Sequence, residues 1–312
     1  MAVTACWGLL TDWPREAALL LDIYDPERVE LSNLNRQFLF SAEEIGTFKS
    51  EALVRKFLYH TSLIQGKRIE LRSHPFAVQE NNILEALNDA SFVLDCCDCS
   101  RTKFLINDFC VSNSIPFCYA GAVGEVAQVL LVRTAKNTHL GGNSGCLRCL
   151  FGELSVDEIA AQTTSCQAAG ILGPIAGYAG LLQAEHTLEH LFPTAGSKQV
   201  AGTLFRISST DFREQPAVLR PAIDCPLGCG KTSLKLLDLR DKSCPNTFIY
   251  TKLALEQLSG TETLDVRFSS QESAKNVRQT VEEDDYGVPG KVLQLGENLW
   301  RLLIDGRKLD AH

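Results

Sequence analysis

Asp25-Pro26-Glu27-Arg28-Val29-Glu30-Leu31-Ser32-Asn33-Leu34-Asn35-Arg36-Gln37 is the most informative stretch of this chain. It follows an apolar run from Ala17 to Leu21, and the change in character predicts a strand that ends in an acid at Asp25. An acid at the carboxyl end of a strand is the usual ribose-binding residue of a dinucleotide-type fold. The polar string after it supplies amide and guanidinium groups, which suit recognition of phosphate and carboxylate.

The chain around this stretch alternates between strand-like and helix-like segments from Leu19 to about Ser209. This alternation predicts a doubly wound α/β fold with a mostly parallel, Rossmann-like sheet. The capping-box spacing of Ser41-Ala42-Glu43-Glu44 predicts a helix that runs through Lys49 to about Tyr59. Strands are expected at Ser91–Asp95 and Val126–Val132, among others, and a long apolar helix at Ile171–Leu191.

A second unit begins near Ser233. Its pattern has the order βαβαββ, with strands at Leu234–Arg240 and Leu264–Phe268 and a helix that opens at Cys244. This order predicts a small α+β domain of two layers. We therefore expect one domain at residues 1–232, which includes a linker, and a second at residues 233–312.

Net charge, apolar runs and cysteine content limit the kinds of function that this chain can have. The net charge of −8 argues against a nucleic-acid partner. No apolar run has the roughly 18 residues that a membrane span needs, and no basic region follows Met1 as in a signal peptide. The 12 cysteines are then expected to be thiols and metal ligands in a reducing compartment rather than disulfides. These features predict a cytoplasmic enzyme.

A second acidic cluster, Asp95-Cys96-Cys97-Asp98, closes the apolar run Phe92–Leu94. Ligands of open α/β sheets bind at such carboxyl ends, and Mg²⁺ prefers one or two carboxylates together with phosphate oxygens. Asp98 is therefore a candidate for holding Mg²⁺ and nucleotide phosphates. The alternative is an acid that caps the next helix.

Two cysteine pairs lie far apart in the chain, in Cys146-Leu147-Arg148-Cys149 and in Cys225-Pro226-Leu227-Gly228-Cys229. Four thiolates in two short pairs are what a tetrahedral structural Zn²⁺ site requires. We predict that these four cysteines bind one Zn²⁺ and tie the linker to the first domain.

The third signature is Ser243-Cys244-Pro245. A proline in the first helical turn is preorganised, and it places the Cys244 thiol at the positive end of the helix dipole, which favours the thiolate. Arg240 and Lys242 are expected to act in the same direction. An exposed thiolate suits persulfide relay, whereas the alternative is a structural cysteine.

The stretch that ends at Gln37 resembles the ThiF/MoeB/HesA family, which is related to the ubiquitin-activating enzymes. The resemblance implies adenylation of the C-terminus of a ubiquitin-like sulfur-carrier protein of the ThiS/MoaD type by ATP and Mg²⁺. It assigns the essential acid to Asp98, the ribose to Asp25 and the phosphates to four side chains, Asn33, Arg36, Gln37 and Lys49. It also places Cys166 where relatives form a covalent adduct or transfer sulfur, although Cys166 can equally be a small packing residue.

Residues Leu234–Lys308 resemble the TusA/SirA sulfur carriers, in which the cysteine of the Cys-Pro motif receives and passes on sulfane sulfur. The two resemblances together imply that a persulfide on Cys244, supplied by a cysteine desulfurase or another persulfide donor, converts the adenylated carrier into a thiocarboxylate. They also imply a homodimer. The pathway that uses the sulfur stays open among thiamin, molybdopterin and cysteine metabolism.

The chain departs from the first family ahead of Asp25. Relatives have a strand and a G-x-G-G-x-G loop there, whereas residues 4–15 hold Gly8 as their single glycine, with two tryptophans and Pro14. Two accounts fit, an altered start of the chain, which we favour, or a pseudo-adenylating domain. The alternative function is therefore a binding module without catalysis, which presents the carrier to Cys244. A nicotinamide or flavin oxidoreductase is disfavoured, because the glycine fingerprint is absent.

Overall fold

The structure is a computed structural model that describes residues 1–62, 68–133, 144–152, 158, 170–194, 201–222, 225–231, 234–258 and 262–306. The helices in this part of the chain are α1 (Ala2–Asp12), α2 (Lys49–Ser62), α3 (Ile83–Leu87), α4 (Ser100–Asn113), α5 (Leu147–Phe151), α6 (Gly173–Leu191), α7 (Asn246–Glu256) and α8 (Gln271–Glu283). The strands are β1 (Ala18–Tyr24), β2 (Arg68–His74), β3 (Val93–Asp95), β4 (Phe117–Val123), β5 (Val126–Val132), β6 (Thr203–Ser208), β7 (Glu214–Val218), β8 (Leu234–Asp238), β9 (Thr263–Phe268), β10 (Gly287–Pro289), β11 (Leu293–Gly296) and β12 (Leu299–Gly306).

Two sheets build the N-terminal unit. Strands β1 and β2 pair in parallel, and a five-stranded sheet has the order β3-β4-β5-β6-β7. In the larger sheet β3 and β4 are parallel, whereas the remaining pairs are antiparallel. The predicted α/β architecture is confirmed, and β1 and β3 end next to the two predicted acidic clusters, at Tyr24 and Asp95.

Helix α1 joins the two sheets. Its Val3, Cys6 and Leu10 are buried in one apolar cluster with Ile23 of β1 and with side chains of α2. Its opposite side packs on α6, which in turn covers β4 and β5. The contact with α6 is close because glycines line it: a Cβ atom on Gly8 would come within 2.8 Å of the Cβ of Ala184.

The C-terminal sheet has the order β10-β12-β9-β8, with β11 also on β12. Strands β8 and β9 are parallel, and β12 is antiparallel to β9, β10 and β11. Helices α7 and α8 cover one face through a cluster that includes Leu264, Val266, Leu302 and Val277. The β11–β12 hairpin instead contributes Leu295 and Leu299 to the core of the N-terminal unit.

Several local features differ from the predictions. The capping box at Ser41 forms, but it starts a short 3-10 turn at Ala42–Glu44, and α2 begins separately at Lys49. Part of the predicted linker is the exposed edge strand β7, and the short strand β10 adds to the βαβαββ order. Helix α7 begins at Asn246, so Pro245 is its N-cap residue rather than its first helical residue.

Candidate functional site

Asp25 lies half-buried directly after β1. Its Oδ1 accepts a hydrogen bond from the backbone N–H of Glu27 at 2.9 Å, which fixes the turn after the strand. Burial raises the pKa of Asp25, and the nearby carboxylates of Glu27 and Asp98 act in the same direction. The Glu27 N–H and the Lys49 ammonium only partly offset this effect. Asp25, Lys49 and Asp98 are therefore close enough to interact electrostatically.

The turn after Asp25 is held by its own polar side chains. The buried Asn33 accepts a hydrogen bond from the Glu30 N–H at 3.1 Å through Oδ1, and Arg36 donates to the Ser32 carbonyl at 2.8 Å. The side-chain oxygen of Asn33 thus accepts a hydrogen bond within the turn itself. Gln37 differs, because its Oε1 is buried and has no hydrogen-bond partner among the described residues. An unpartnered buried amide is costly for a fold, so it indicates that a ligand or water completes this position.

Lys49 is the first residue of α2 and is 5 % exposed. Its ammonium forms an ion pair with Glu27, and its backbone N–H donates to the Glu27 carbonyl at 2.8 Å. Glu27 itself is largely exposed, with 60 % of its side chain accessible. Lys49 is therefore a buried cation that is paired with a carboxylate exposed to solvent.

The second acidic cluster places its two aspartates differently. Asp95 is fully buried at the end of β3, where Oδ1 accepts from the Cys97 N–H at 3.0 Å and Oδ2 has no hydrogen-bond partner. The Lys103 ammonium lies 3.8 Å from that Oδ2 and donates to the Ala120 carbonyl. Burial alone would lower the pKa of Lys103, but Asp95 and other neighbours raise it above its usual value. Asp98, in contrast, is exposed just before α4.

These residues fit the chemistry of a Mg-nucleotide site. Asp25 and Asp98 are neighbouring carboxylates of the kind that hold Mg²⁺, Arg36 and Lys49 are cations for phosphate, and Gln37 offers a free amide oxygen. The segment ahead of β1 forms helix α1 rather than a strand and glycine loop, and it ends at Asp12 because Trp13 precedes Pro14 and is extended.

The four predicted metal ligands come together as predicted. The thiols of Cys146, Cys149, Cys225 and Cys229 all lie within 4.8 Å of one another. The Sγ of Cys146 is 3.9 Å from that of Cys149 and 3.8 Å from that of Cys225. Hydrogen bonds from the other three thiols lower the pKa of Cys149. Four convergent sulfur donors are the donor set of a structural Zn²⁺ site.

Polar residues of α4 support this cysteine cluster, and sequence reasoning did not assign them to it. Asn107 is fully buried, accepts from the Leu147 N–H at 2.9 Å and lies 4.0 Å from the Cys146 sulfur. Asp108 forms a 2.7 Å ion pair with Arg148, which lies between the first two cysteines. A signal was present, since two adjacent polar residues interrupt an otherwise apolar helix face. Such outer contacts orient metal ligands.

Cys244 is exposed, two residues before α7. Its sulfur lies 3.3 Å from the hydroxyl of Thr247, in the first turn of that helix. The helix start leaves backbone N–H groups directed toward this position. The thiol is thus accessible to a protein partner, as persulfide relay requires.

The two basic residues near Cys244 are each paired with an acid. Arg240 forms a fork with both oxygens of Asp238, and Lys242 contacts Asp241 at 2.8 Å. Their charge is therefore balanced locally, contrary to the expectation that they act on the thiol. Cys166, the other predicted reactive cysteine, lies outside the residues that the structure describes.

Comparison with known proteins agrees with both units. A model of the ThiF family matches residues 19–227, and a model of the sulfurtransferase TusA matches residues 235–305. The sulfur carrier protein ThiS adenylyltransferase of Escherichia coli (strain K12) is 31% identical over 210 residues, which are 67% of this chain and 76% of that protein. The adenylyltransferase and sulfurtransferase MOCS3 of Aedes aegypti is 32% identical over 220 residues.

The match to MOCS3 covers 70% of this chain but 46% of that protein, so the chain spans less than half of this relative. Among solved structures, that of Escherichia coli MccB superposes with a TM-score of 0.56 at 18% identity, covering 75% of this chain and 63% of that one. At this identity the likeness supports the fold alone. None of the helices in the described part of the chain has the length and apolar character for a membrane span.

Proposed function

The chain belongs to the ThiF family, with a TusA sulfurtransferase domain after it, and from this premise we propose that it activates and thiolates a sulfur carrier. The substrate is the C-terminus of a ubiquitin-like protein of the ThiS/MoaD type, and the product is a thiocarboxylate. The observations that support the proposal are the two acids Asp25 and Asp98, which follow the ends of β1 and β3, and the exposed Cys244 at a helix start.

The first half-reaction joins the carrier to AMP. A C-terminal carboxylate oxygen of the carrier attacks the α-phosphorus of ATP, and the bond to the leaving pyrophosphate breaks. The protein contributes position and charge more than covalent chemistry. We assign Mg²⁺ and the phosphates to Asp98, Arg36 and Lys49, the ribose to Asp25, and hydrogen bonds to the phosphates to Asn33 and Gln37.

The second half-reaction introduces sulfur. The terminal sulfur of a persulfide on Cys244 attacks the acyl carbon and expels AMP, which leaves the carrier attached to Cys244 through an acyl disulfide. A second thiol then attacks the Cys244 sulfur, so that the carrier departs as a thiocarboxylate and a disulfide remains. Cys166 is our candidate for that thiol, and a cysteine desulfurase or another persulfide donor reloads Cys244 after reduction.

The remaining assignments complete the proposal. One Zn²⁺ on Cys146, Cys149, Cys225 and Cys229 is structural, because all four donors are used and no position is left for substrate. We propose domains at residues 1–232 and 233–312, a homodimer, and action in the cytoplasm on a protein partner.

A second candidate function is a binding module that grips the carrier and presents it to Cys244 without adenylation. Helix α1 favours it, because this helix replaces the strand and glycine loop that relatives use to cradle phosphate. Carrier-dependent exchange of labelled pyrophosphate into ATP separates the two functions. An adenylating enzyme catalyses this exchange, whereas a binding module retains affinity for the carrier and shows no exchange.

A further inference from the structure

The face of the C-terminal sheet that α7 and α8 leave uncovered carries a buried charged cluster. Asp265 and Arg267 of β9 and Arg301 of β12 are 5 %, 7 % and 2 % exposed, respectively. Both oxygens of Asp265 accept from both arginines at 2.9–3.1 Å. Burying charges in this way is costly unless each finds its partners, so the surface opposite the cluster must supply the rest.

The opposite surface belongs to the N-terminal unit. Arg301 Nη1 donates to the Ser112 hydroxyl at 2.9 Å and to the Leu227 carbonyl at 3.1 Å, and Arg267 Nη2 donates to the Ser112 carbonyl at 2.7 Å. Ser112 lies in the last turn of α4, where carbonyl groups lack helical partners and a cation is favoured. The two arginines therefore connect the sheet of the C-terminal unit to the end of α4.

Leu227 connects the same contact to the metal ligands. It lies in the three-residue spacer between Cys225 and Cys229, and it is 1 % exposed. The adjacent Gly228 has φ +73° and would place a Cβ atom 3.0 Å from Leu303 of β12. This three-residue spacer is thus held between the four thiols on one side and the C-terminal sheet on the other.

From these contacts we infer that Arg301 and the spacer 226–228 form a joint that fixes the position of the C-terminal unit, and with it Cys244, on the N-terminal unit. Arg301 is a positioning residue in this account, since it acts on Cys244 only through the joint. Metal on the four cysteines holds the spacer in place, so metal occupancy controls the joint. Its use in sulfur transfer rests on the proposed function, whereas the joint itself requires no catalysis.

Cys99 and Cys244, the two cysteines that are exposed among the described residues, provide a direct test. Cys99 lies on the N-terminal unit and Cys244 on the C-terminal unit. Both are labelled with nitroxides in the full-length protein, in which Cys166 is replaced by Ser. Pulsed electron paramagnetic resonance then measures the distribution of distances between the two labels. The parent should give one narrow distribution, and Arg301→Met should broaden it, because the fork to Ser112 and Leu227 is lost.

Two further variants make the test decisive. Arg278→Met is the matched control, because the polar contacts of Arg278 with the described residues lie within its own unit, at Glu282 and Gly290. Gly296→Val disturbs the same interface between the units next to the joint, because a Cβ there would lie 3.2 Å from Ile83 and 3.3 Å from the Glu80 carbonyl. Hydrogen exchange in β9 verifies that each variant keeps the fold of its C-terminal unit. If Arg301→Met fails this check, the result of Gly296→Val decides the test.

Chelation tests the metal half of the inference. Removal of zinc from the parent, confirmed by metal analysis, should broaden the distribution as Arg301→Met does. In a functional assay with unlabelled protein that retains Cys166, Arg301→Met and Gly296→Val should load sulfur on Cys244 like the parent but form thiocarboxylate about 10-fold to 100-fold more slowly, which is typical for lost positioning. Narrow distributions in both Arg301→Met and Gly296→Val would overturn the inference. A narrow distribution in the metal-free parent would show that zinc does not control the joint.

Discussion

At the scale of single residues, Asp98 carries the clearest prediction for adenylation. It is exposed at the site, close enough to Asp25 to influence its pKa, and it lies where we assign Mg²⁺ and phosphate. Asp98→Ala should lower pyrophosphate exchange by about 10²-fold to 10⁴-fold, because it removes a main electrostatic contributor. The matched control is Asp284→Asn, an exposed acid of the C-terminal unit. Exchange within about twofold of the parent would show that Asp98 is assigned wrongly.

Cys244 carries the corresponding prediction for sulfur transfer. Incubation with a cysteine desulfurase and cysteine should add one sulfur atom to the peptide that contains Cys244, because its thiol is accessible at the start of α7. Cys244→Ser should abolish this mass shift, whereas Cys99→Ser, at the other exposed thiol, should leave it unchanged. Equal loading of the Cys244→Ser protein would reduce the C-terminal unit to a docking module.

At the scale of elements, the cysteine cluster predicts the metal content. Protein purified without chelator should hold about one Zn²⁺ per chain, as four convergent thiolates require. Cys229→Ser should lower that content, whereas Cys110→Ser should not, because Cys110 is a buried cysteine of α4 outside the ligand set. Zinc-free protein from such a preparation would contradict the assignment.

Helix α6 predicts a pH dependence of stability. His186 is 4 % exposed and packs on the ring of Phe205, and neither ring nitrogen has a hydrogen-bond partner in the described part of the chain, with the Glu189 carboxylate 4.0 Å from Nδ1. Burial lowers its pKa from 6.5 to about 4, although Glu214 acts in the opposite direction. Between these values the unfolded chain binds a proton that the folded chain does not, so stability falls as the pH is lowered through this window and levels off below about pH 4.

Replacement of His186 by Leu removes this contribution. Between pH 7.5 and pH 5 the free energy of unfolding of the variant should fall by about 2 kcal/mol less than that of the parent, measured by urea titration. His190, on the same helix, has its pKa lowered by burial as well and remains in both proteins, so the comparison isolates His186. An equal loss of stability in the two proteins would contradict the account.

The elements that sequence predicts well are those with a local signal. Strand β5 spans Val126–Val132 as expected, because all of its residues except Gln128 are apolar, and the spacing of the two cysteine pairs is enough to predict their cluster. The cluster of Asp265, Arg267 and Arg301 was not predictable in this way. Its members are distant in sequence, and alternation within a strand assigns charged residues to solvent rather than to a second unit.

At the scale of the whole molecule, the two units share one core. The β11–β12 hairpin buries Leu295 and Leu299 in the same cluster as Phe109 of α4 and Leu227 of the cysteine spacer. A shared core means that the units do not move independently while it is intact. The adenylation site and Cys244 therefore belong to one body, and the sulfur carrier must reach both. This arrangement favours a single enzyme that activates and thiolates its substrate over two functions that merely share a chain.

Formation of a thiocarboxylate on a purified ThiS-like carrier tests this central claim most directly. The protein is loaded with sulfur by a cysteine desulfurase, separated from the donor and mixed with carrier, ATP and Mg²⁺, and a dithiol reductant is added only after the transfer, to release the carrier from Cys244. Intact-mass spectrometry of the carrier should then show one oxygen replaced by sulfur, with ATP and Cys244 both required. A carrier that binds to the sulfur-loaded protein but keeps its original mass in the presence of ATP would contradict the account.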